Sequence, residues 1–122
     1  MKKCLVVDDS GVVRKVARRI LEDLGFTCEE AQDGQIAYDK CKESMPDIVL
    51  LDWNMPNVSG IEYLEMLRAM PGGDAPKVVF CTTENDIQHI TEAISKGANE
   101  YIMKPFDSDI IKSKFEQIGL LP

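Results

Sequence analysis

The chain has 122 residues, enough for one domain with a full core. Its 44% hydrophobic and 29% charged content is that of an ordinary globule and excludes disordered and fibrous classes. A net charge of −7 argues against nonspecific binding to nucleic acid or anionic membrane, and no apolar run exceeds four or five residues, far short of a bilayer span.

Met1-Lys2-Lys3 leads straight into a strand, without the apolar stretch and cleavage site of a signal peptide. That strand is Cys4 to Val7, ending at Asp8-Asp9. Ser10 caps a helix whose apolar period is Val12, Val13, Val16, Ala17, Ile20, Leu21 and Leu24, stopped by Gly25. Phe26 to Ala31 is a second strand, polar at Thr27, Glu29 and Glu30, and so expected at a sheet edge. Asp33-Gly34 opens a second helix running to about Ser44.

Ile48-Val49-Leu50-Leu51 is apolar without alternation, the pattern of a strand buried on both faces, and it runs directly into Asp52. Ser59 with Glu62 is a capping box for a third helix bearing Ile61, Leu64 and Leu67. Met70 to Pro76 is a breaker-rich surface loop. Lys77 to Cys81 is another buried strand, closing on Thr82-Thr83. A fourth helix uses Ile87, Ile90, Ala93 and Ile94 and ends at Gly97; Tyr101 to Met103 is the fifth strand. Lys104-Pro105-Phe106 follows, and Asp107 caps a last helix with Ile110, Ile111, Phe115 and Ile118. Cys4, Cys28, Cys41 and Cys81 have no C-x-x-C spacing, which suits reduced core thiols in the cytoplasm better than disulfides or a metal cage.

Five βα units in succession predict an α/β fold, a flavodoxin-like doubly wound five-stranded parallel sheet of order 2-1-3-4-5, as a single domain over residues 1–122. In that arrangement the polar residues at the strand ends gather at one edge: Asp8 and Asp9 from strand 1, Asp52 from strand 3, Thr82 from strand 4 and Lys104 from strand 5. Two carboxylates ~5 Å apart at an effective dielectric of ~20 repel by roughly 3 kcal/mol, and a divalent cation resolves that repulsion. Hard oxygen ligands at a wet site favour Mg²⁺. Lys104 then places a positive charge on the far side of Asp52, with the Thr82 hydroxyl between them. An anionic nucleophile, a metal, a lysine and a hydroxyl around one volume suit phosphoryl transfer.

Each residue has an ordinary role when taken alone. Asp9 beside Ser10 is a common helix-start acid, Asp52 could be a solvated loop acid, Thr82 a strand end and Lys104-Pro105 a turn. His89, between Ile87 and Ile90, reads as a surface residue, neither ligand nor base. The combination of these types on successive strand ends is what carries the functional reading.

Leu5-Val-Val-Asp-Asp-Ser10, Asp52-Trp-Asn-Met-Pro56 with Gly60, Thr82, Gly97-Ala98, Tyr101 and Lys104-Pro-Phe106 together resemble the response-regulator receiver domains of two-component signalling, from about Lys3 to Leu121. Within that family the Asp-Trp-Asn-Met-Pro run and Phe115-Glu-Gln-Ile118 are most similar to the single-domain chemotaxis regulators. The resemblance implies that Asp52 accepts a phosphoryl group from a histidine kinase or phosphotransfer protein. It implies a Mg²⁺ site of Asp9, Asp52 and the Asn54 main-chain carbonyl, with Asp8 acting mainly through metal-bound water. Lys104 and Thr82 would contact phosphoryl oxygens, and the bond before Pro105 would be cis. Asn54 and Glu84 would adjust how fast the acyl phosphate hydrolyses. Thr82 and Tyr101 would report the phosphorylated state to a surface of helix 4, strand 5 and helix 5, from about Glu84 to Gly119.

The implied protein is a cytoplasmic monomer without an attached effector domain. It is a phosphoacceptor with intrinsic self-phosphorylation and self-dephosphorylation rather than an enzyme, and its downstream partner is another protein, such as a flagellar motor switch. A stand-alone receiver in a phosphorelay, a phosphate sink, or a cell-cycle or stress regulator is the alternative. An aspartyl-phosphate phosphatase or mutase is disfavoured, because those carry a second acid where Asn54 stands and a cap domain. A flavin or nucleotide module of the same topology is disfavoured by the acidic Asp8-Asp9-Ser10-Gly11 loop.

Overall fold

The computed structural model describes residues 2–53, 55, 58–83 and 88–121. Strands and helices alternate: β1 Lys3–Val7, α1 Gly11–Asp23, β2 Thr27–Ala31, α2 Gly34–Glu43, β3 Ile48–Asp52, α3 Gly60–Ala69, β4 Lys77–Thr82, α4 Gln88–Ser95, β5 Glu100–Met103 and α5 Ser108–Gln117. The five strands are parallel and lie in the order β2-β1-β3-β4-β5. The predicted topology therefore holds, with the polar strand β2 at an edge and β3, buried throughout, at the centre.

Alternation along the strands builds two cores, because successive side chains point to opposite faces. Leu5, Val7, Val49, Leu51, Val78 and Phe80 pack on one face against Ala37 and Cys41 of α2, Leu64 and Leu67 of α3 and Ala93 of α4. Cys4, Val6, Ile48, Leu50, Val79 and Ile102 face the other way, onto Ala17 and Leu21 of α1 and Ile111 and Phe115 of α5. All four cysteines are buried free thiols, as expected. No described helix is long and apolar enough to cross a membrane.

The helix starts follow the caps read from the sequence. Ser10, Asp33, Ser59 and Asp107 each accept the amide three residues on, and Ser59 with Glu62 closes a reciprocal capping box. Arg68, near the end of α3, gathers the opposite end of the sheet. Its guanidinium donates to the carbonyls of Gly73, Pro76 and Gly97 and to the Asn99 side chain. Gly97 has a φ of 117°, and a side chain there would also press on Arg68, so the turn between α4 and β5 needs glycine on both counts.

Two expectations about helix faces need correction. Val12 is 76% and Val16 48% exposed, so the apolar stripe of α1 is only partly core. The helix sits on the sheet through Ala17 and Leu21, which lie on one side of that wide stripe. Ile94 and Ile110 are exposed in the same way, α4 and α5 burying Ala93 and Ile111 instead. Ile87, expected on the fourth helix, lies outside the described residues.

Candidate functional site

The site is assembled by strand register. Val7 of β1 lies opposite Leu51 of β3, so Asp8 and Asp52, each the next residue on, emerge side by side. Asp52 is level with Cys81, which Thr82 follows, and Thr82 is level with Met103, which Lys104 follows. Each strand thus delivers its polar residue to the same carboxyl edge. Asp8, Asp52 and Thr82 are buried at 4%, 7% and 1% exposure, while Asp9 is exposed.

Asp8 is held from several directions. Its amide donates to the Ala31 carbonyl at 3.1 Å, its Oδ1 accepts from the Ser10 amide at 2.9 Å, and its Oδ2 accepts from Lys104 Nζ at 2.7 Å. The same ammonium donates to Asp52 Oδ1 at 2.9 Å. Lys104 therefore bridges the two acids rather than standing on the far side of Asp52, as the sequence suggests. Its backbone amide donates to the Thr82 carbonyl at 2.7 Å, which draws the start of this loop against β4. The Lys104–Pro105 peptide bond is cis, in line with the resemblance.

One oxygen each from Asp8, Asp9 and Asp52 lies within 4.8 Å of the others. Three carboxylates against one ammonium leave two negative charges, and every candidate ligand is a hard oxygen. That donor set fits a divalent Mg²⁺ ion. Burial pushes the Asp52 carboxyl up to about 6; the Lys104 hydrogen bond and charge oppose this, and the neighbouring Asp8 and Asp9 charges reinforce it. Burial also works against the Lys104 charge, but its hydrogen bonds to Asp8 and Asp52 outweigh it, so the ammonium is held above its ordinary range.

Gly60 has its reason here. Its amide donates to the Trp53 carbonyl at 3.1 Å, and a side chain would press on the Asp52 carbonyl and the Trp53 Cα, both main chain. Only glycine lets the start of α3 clamp the backbone that carries the central acid. Arg14 is a residue that sequence reasoning misses. Its guanidinium donates to the Asp8 carbonyl at 2.7 Å and to Glu30 at 3.0 Å, joining the end of β1 to β2. Nothing in the sequence separates it from Lys15, Arg18 and Arg19 on the same helix.

Asp8, Asp9, Asp52, Thr82 and Lys104 are thus brought together. Tyr101 is not part of the cluster: it is half-buried further back on β5, opposite Phe80, with the Lys114 ammonium 5.0 Å from its ring centre. Asn54 and Glu84 lie outside the described residues. His89 departs from its expected place as a plain surface residue, since its ring stacks on Trp53 with centroids 3.6 Å apart and planes at 22°. Beside the acids, Val12, Val13, Val16, Thr83, Lys104, Pro105 and Phe106 line an apolar cavity of about 350 Å³.

Comparison with known proteins agrees with this fold. The pattern of the response regulator receiver domain matches residues 4–116. The chain is 38% identical over 117 residues to chemotaxis protein CheY-3 of Vibrio cholerae, covering 95% of this chain and 90% of that protein. It is equally similar, at 38% over 117 residues, to chemotaxis protein CheY of Pseudomonas aeruginosa, covering 95% and 94%. Among solved structures, Vibrio cholerae chemotaxis protein CheY4 superposes with a TM-score of 0.90 at 29% identity over 97% of this chain and 98% of that one. The receiver domain of NtrX from Brucella abortus does so with a TM-score of 0.86 at 28% identity, over 93% and 95%. With the family pattern spanning most of the chain and two relatives 38% identical along nearly their whole length, this protein belongs to the response-regulator receiver domain family.

Proposed function

We propose that this receiver takes up a phosphoryl group on Asp52 from a phosphohistidine of a kinase or phosphotransfer protein, and that it does so in a cytoplasmic chemotaxis pathway. The observation that carries the reading is one ammonium, that of Lys104, 2.7 Å from Asp8 and 2.9 Å from Asp52 at the end of the central strand. A carboxylate oxygen of Asp52 attacks phosphorus; the new O–P bond forms as the donor's N–P bond breaks, and the imidazole leaves with the bonding pair. Mg²⁺ held by Asp8, Asp9, Asp52 and the Asn54 carbonyl would supply neutralising charge for the phosphoryl oxygens. Lys104 swings from its carboxylate bridge to a phosphoryl oxygen, and the Thr82 hydroxyl donates to another.

The chain is then a phosphoacceptor rather than a turnover enzyme. Asn54 and Glu84 set its hydrolysis rate, and Thr82 and Tyr101 pass its state to α4, β5 and α5. A downstream protein such as a flagellar motor component reads that surface. The 38% identity to the CheY proteins of two organisms supports the chemotaxis assignment.

The test needs no kinase. Acetyl phosphate with Mg²⁺ should add one phosphoryl group by intact mass, lost on brief hydroxylamine treatment as an acyl phosphate is. Trp53, the only tryptophan, should change its fluorescence, and beryllium fluoride should mimic the effect. Lys104→Ala should slow phosphorylation at least tenfold while binding Mg²⁺ no more weakly, because it frees both carboxylates. Label stable on serine or threonine, or undiminished in Asp52→Asn, would overturn the assignment.

A further inference from the structure

The main chain at Asp52–Trp53 is clamped to α3 by the Gly60 amide and by the absence of a side chain at that glycine. What reaches α4 is the Trp53 ring, lying on His89, the second residue of that helix. Two half-buried rings can meet by ordinary packing alone. Three observations go further. The contact is close and nearly face to face, at 3.6 Å and 22°. Helix α4 has little else to hold it, since Ala93 is its one buried residue among those described and Ile94 is 44% exposed. Finally, the Trp53 Nε1–H is buried with no acceptor among the described residues.

An unpaired buried donor raises the energy of the arrangement that contains it, so an arrangement that supplies an acceptor competes with the stack. The Trp53–His89 pair thus has the makings of a two-state contact between the residue after the phosphoacceptor and the helix end. We propose that His89 is a positioning residue that couples the Asp52–Trp53 backbone to α4. The stack holds the helix in place in the unphosphorylated state and transmits displacement of the loop to it. The proposal rests on the receiver reading above and deepens it by naming the side chain that links the site to the surface.

The experiment uses the full chain with Mg²⁺, beryllium fluoride as the phosphoryl probe, and the variants His89→Ala and His89→Phe. Amide exchange is followed in residues 88–95, and acrylamide quenching is followed at Trp53. Loss of a stacked pair shifts a local equilibrium by about two- to tenfold. In His89→Ala, exchange in 88–95 should therefore rise by about that factor without the probe, quenching should increase about twofold or more, and the probe-induced change in exchange should collapse. His89→Phe, which keeps a flat ring, should restore all three. A merely structural histidine would let the probe-induced change survive in His89→Ala, and that result overturns the proposal while leaving the receiver reading intact. Should wild type itself ignore beryllium fluoride, the receiver reading fails and this proposal falls with it.

Discussion

Asp52 sits where its charge is least comfortable, 7% exposed at the end of a fully buried strand and beside two other acids. Its carboxyl is pushed up to about 6 from an ordinary 3.8, so the folded state binds that proton more tightly than the unfolded chain does. Stability from this group is therefore greatest below pH ~4 and falls as the pH rises through about 6, a loss of roughly 2–3 kcal/mol by neutrality. Asp52→Asn removes the loss. Urea unfolding of the metal-free protein should find the variant about 1–3 kcal/mol more stable than wild type at pH 7, with the gap closing near pH 4. An unchanged or less stable variant at pH 7 would show that Asp52 is not held ionised against its surroundings. The position of this acid is legible in the sequence, because an unbroken apolar run ending in Asp is how a doubly covered strand delivers a carboxylate to the sheet edge. The Lys104 bridge to Asp8 is not, since it depends on two loops meeting across 96 residues of chain.

At the scale of elements, the edge between β2 and α1 carries the opposite electrostatic sign. Glu30 is read from the sequence as an edge-strand polar residue, yet its side chain is only 13% exposed. Lys15, Arg14 and Arg18 converge on it from α1 at 2.8, 3.0 and 3.2 Å. The hydrogen bond from Lys15 is the main cause of its carboxyl lying down at about 2, with burial opposing and Arg14 and Arg18 assisting. A depressed carboxyl contributes stability that is complete above its ordinary value near 4.5 and is lost as the pH falls toward 2. Glu30→Gln should lower the urea midpoint between pH 6 and 7, and the two proteins should converge near pH 2. A constant difference across that range would mean that packing, not charge, holds the edge. This same pair of elements shows why the stripe of α1 promises more burial than it delivers. Apolar periodicity gives the direction of a helix face but not its width in contact with the sheet, and Val12 and Val16 wall the cavity beside Lys104 instead.

Across the whole molecule, the acid cluster at the carboxyl edge should govern how the fold responds to cations. The chain carries a net charge of −7, and three of its carboxylates share one end of the sheet. A cation that binds the folded state and not the unfolded chain adds stability by mass action, about 2.7 kcal/mol at a hundredfold excess over its dissociation constant. For a domain of this size that corresponds to a rise in Tm of about 10 °C. Thermal melts in Mg²⁺ should show it, with most of the shift gone in Asp52→Asn. A shift of equal size in that variant would assign the effect to general screening and not to the acid cluster.

The sequence by itself determined the five βα units, their caps, the central place of β3 and the strand ends that would meet. These follow from local chemistry: side-chain period, capping residues and right-handed crossovers leave little freedom once five parallel strands must share one core. Tertiary structure alone decided which side of α1 is buried, where Lys104 points, why position 60 must be glycine and what His89 touches. Each of these depends on the relative placement of elements distant in sequence. A ring at position 53 finds its partner at position 89 only after β4 has been laid between them, and no period or motif encodes that meeting.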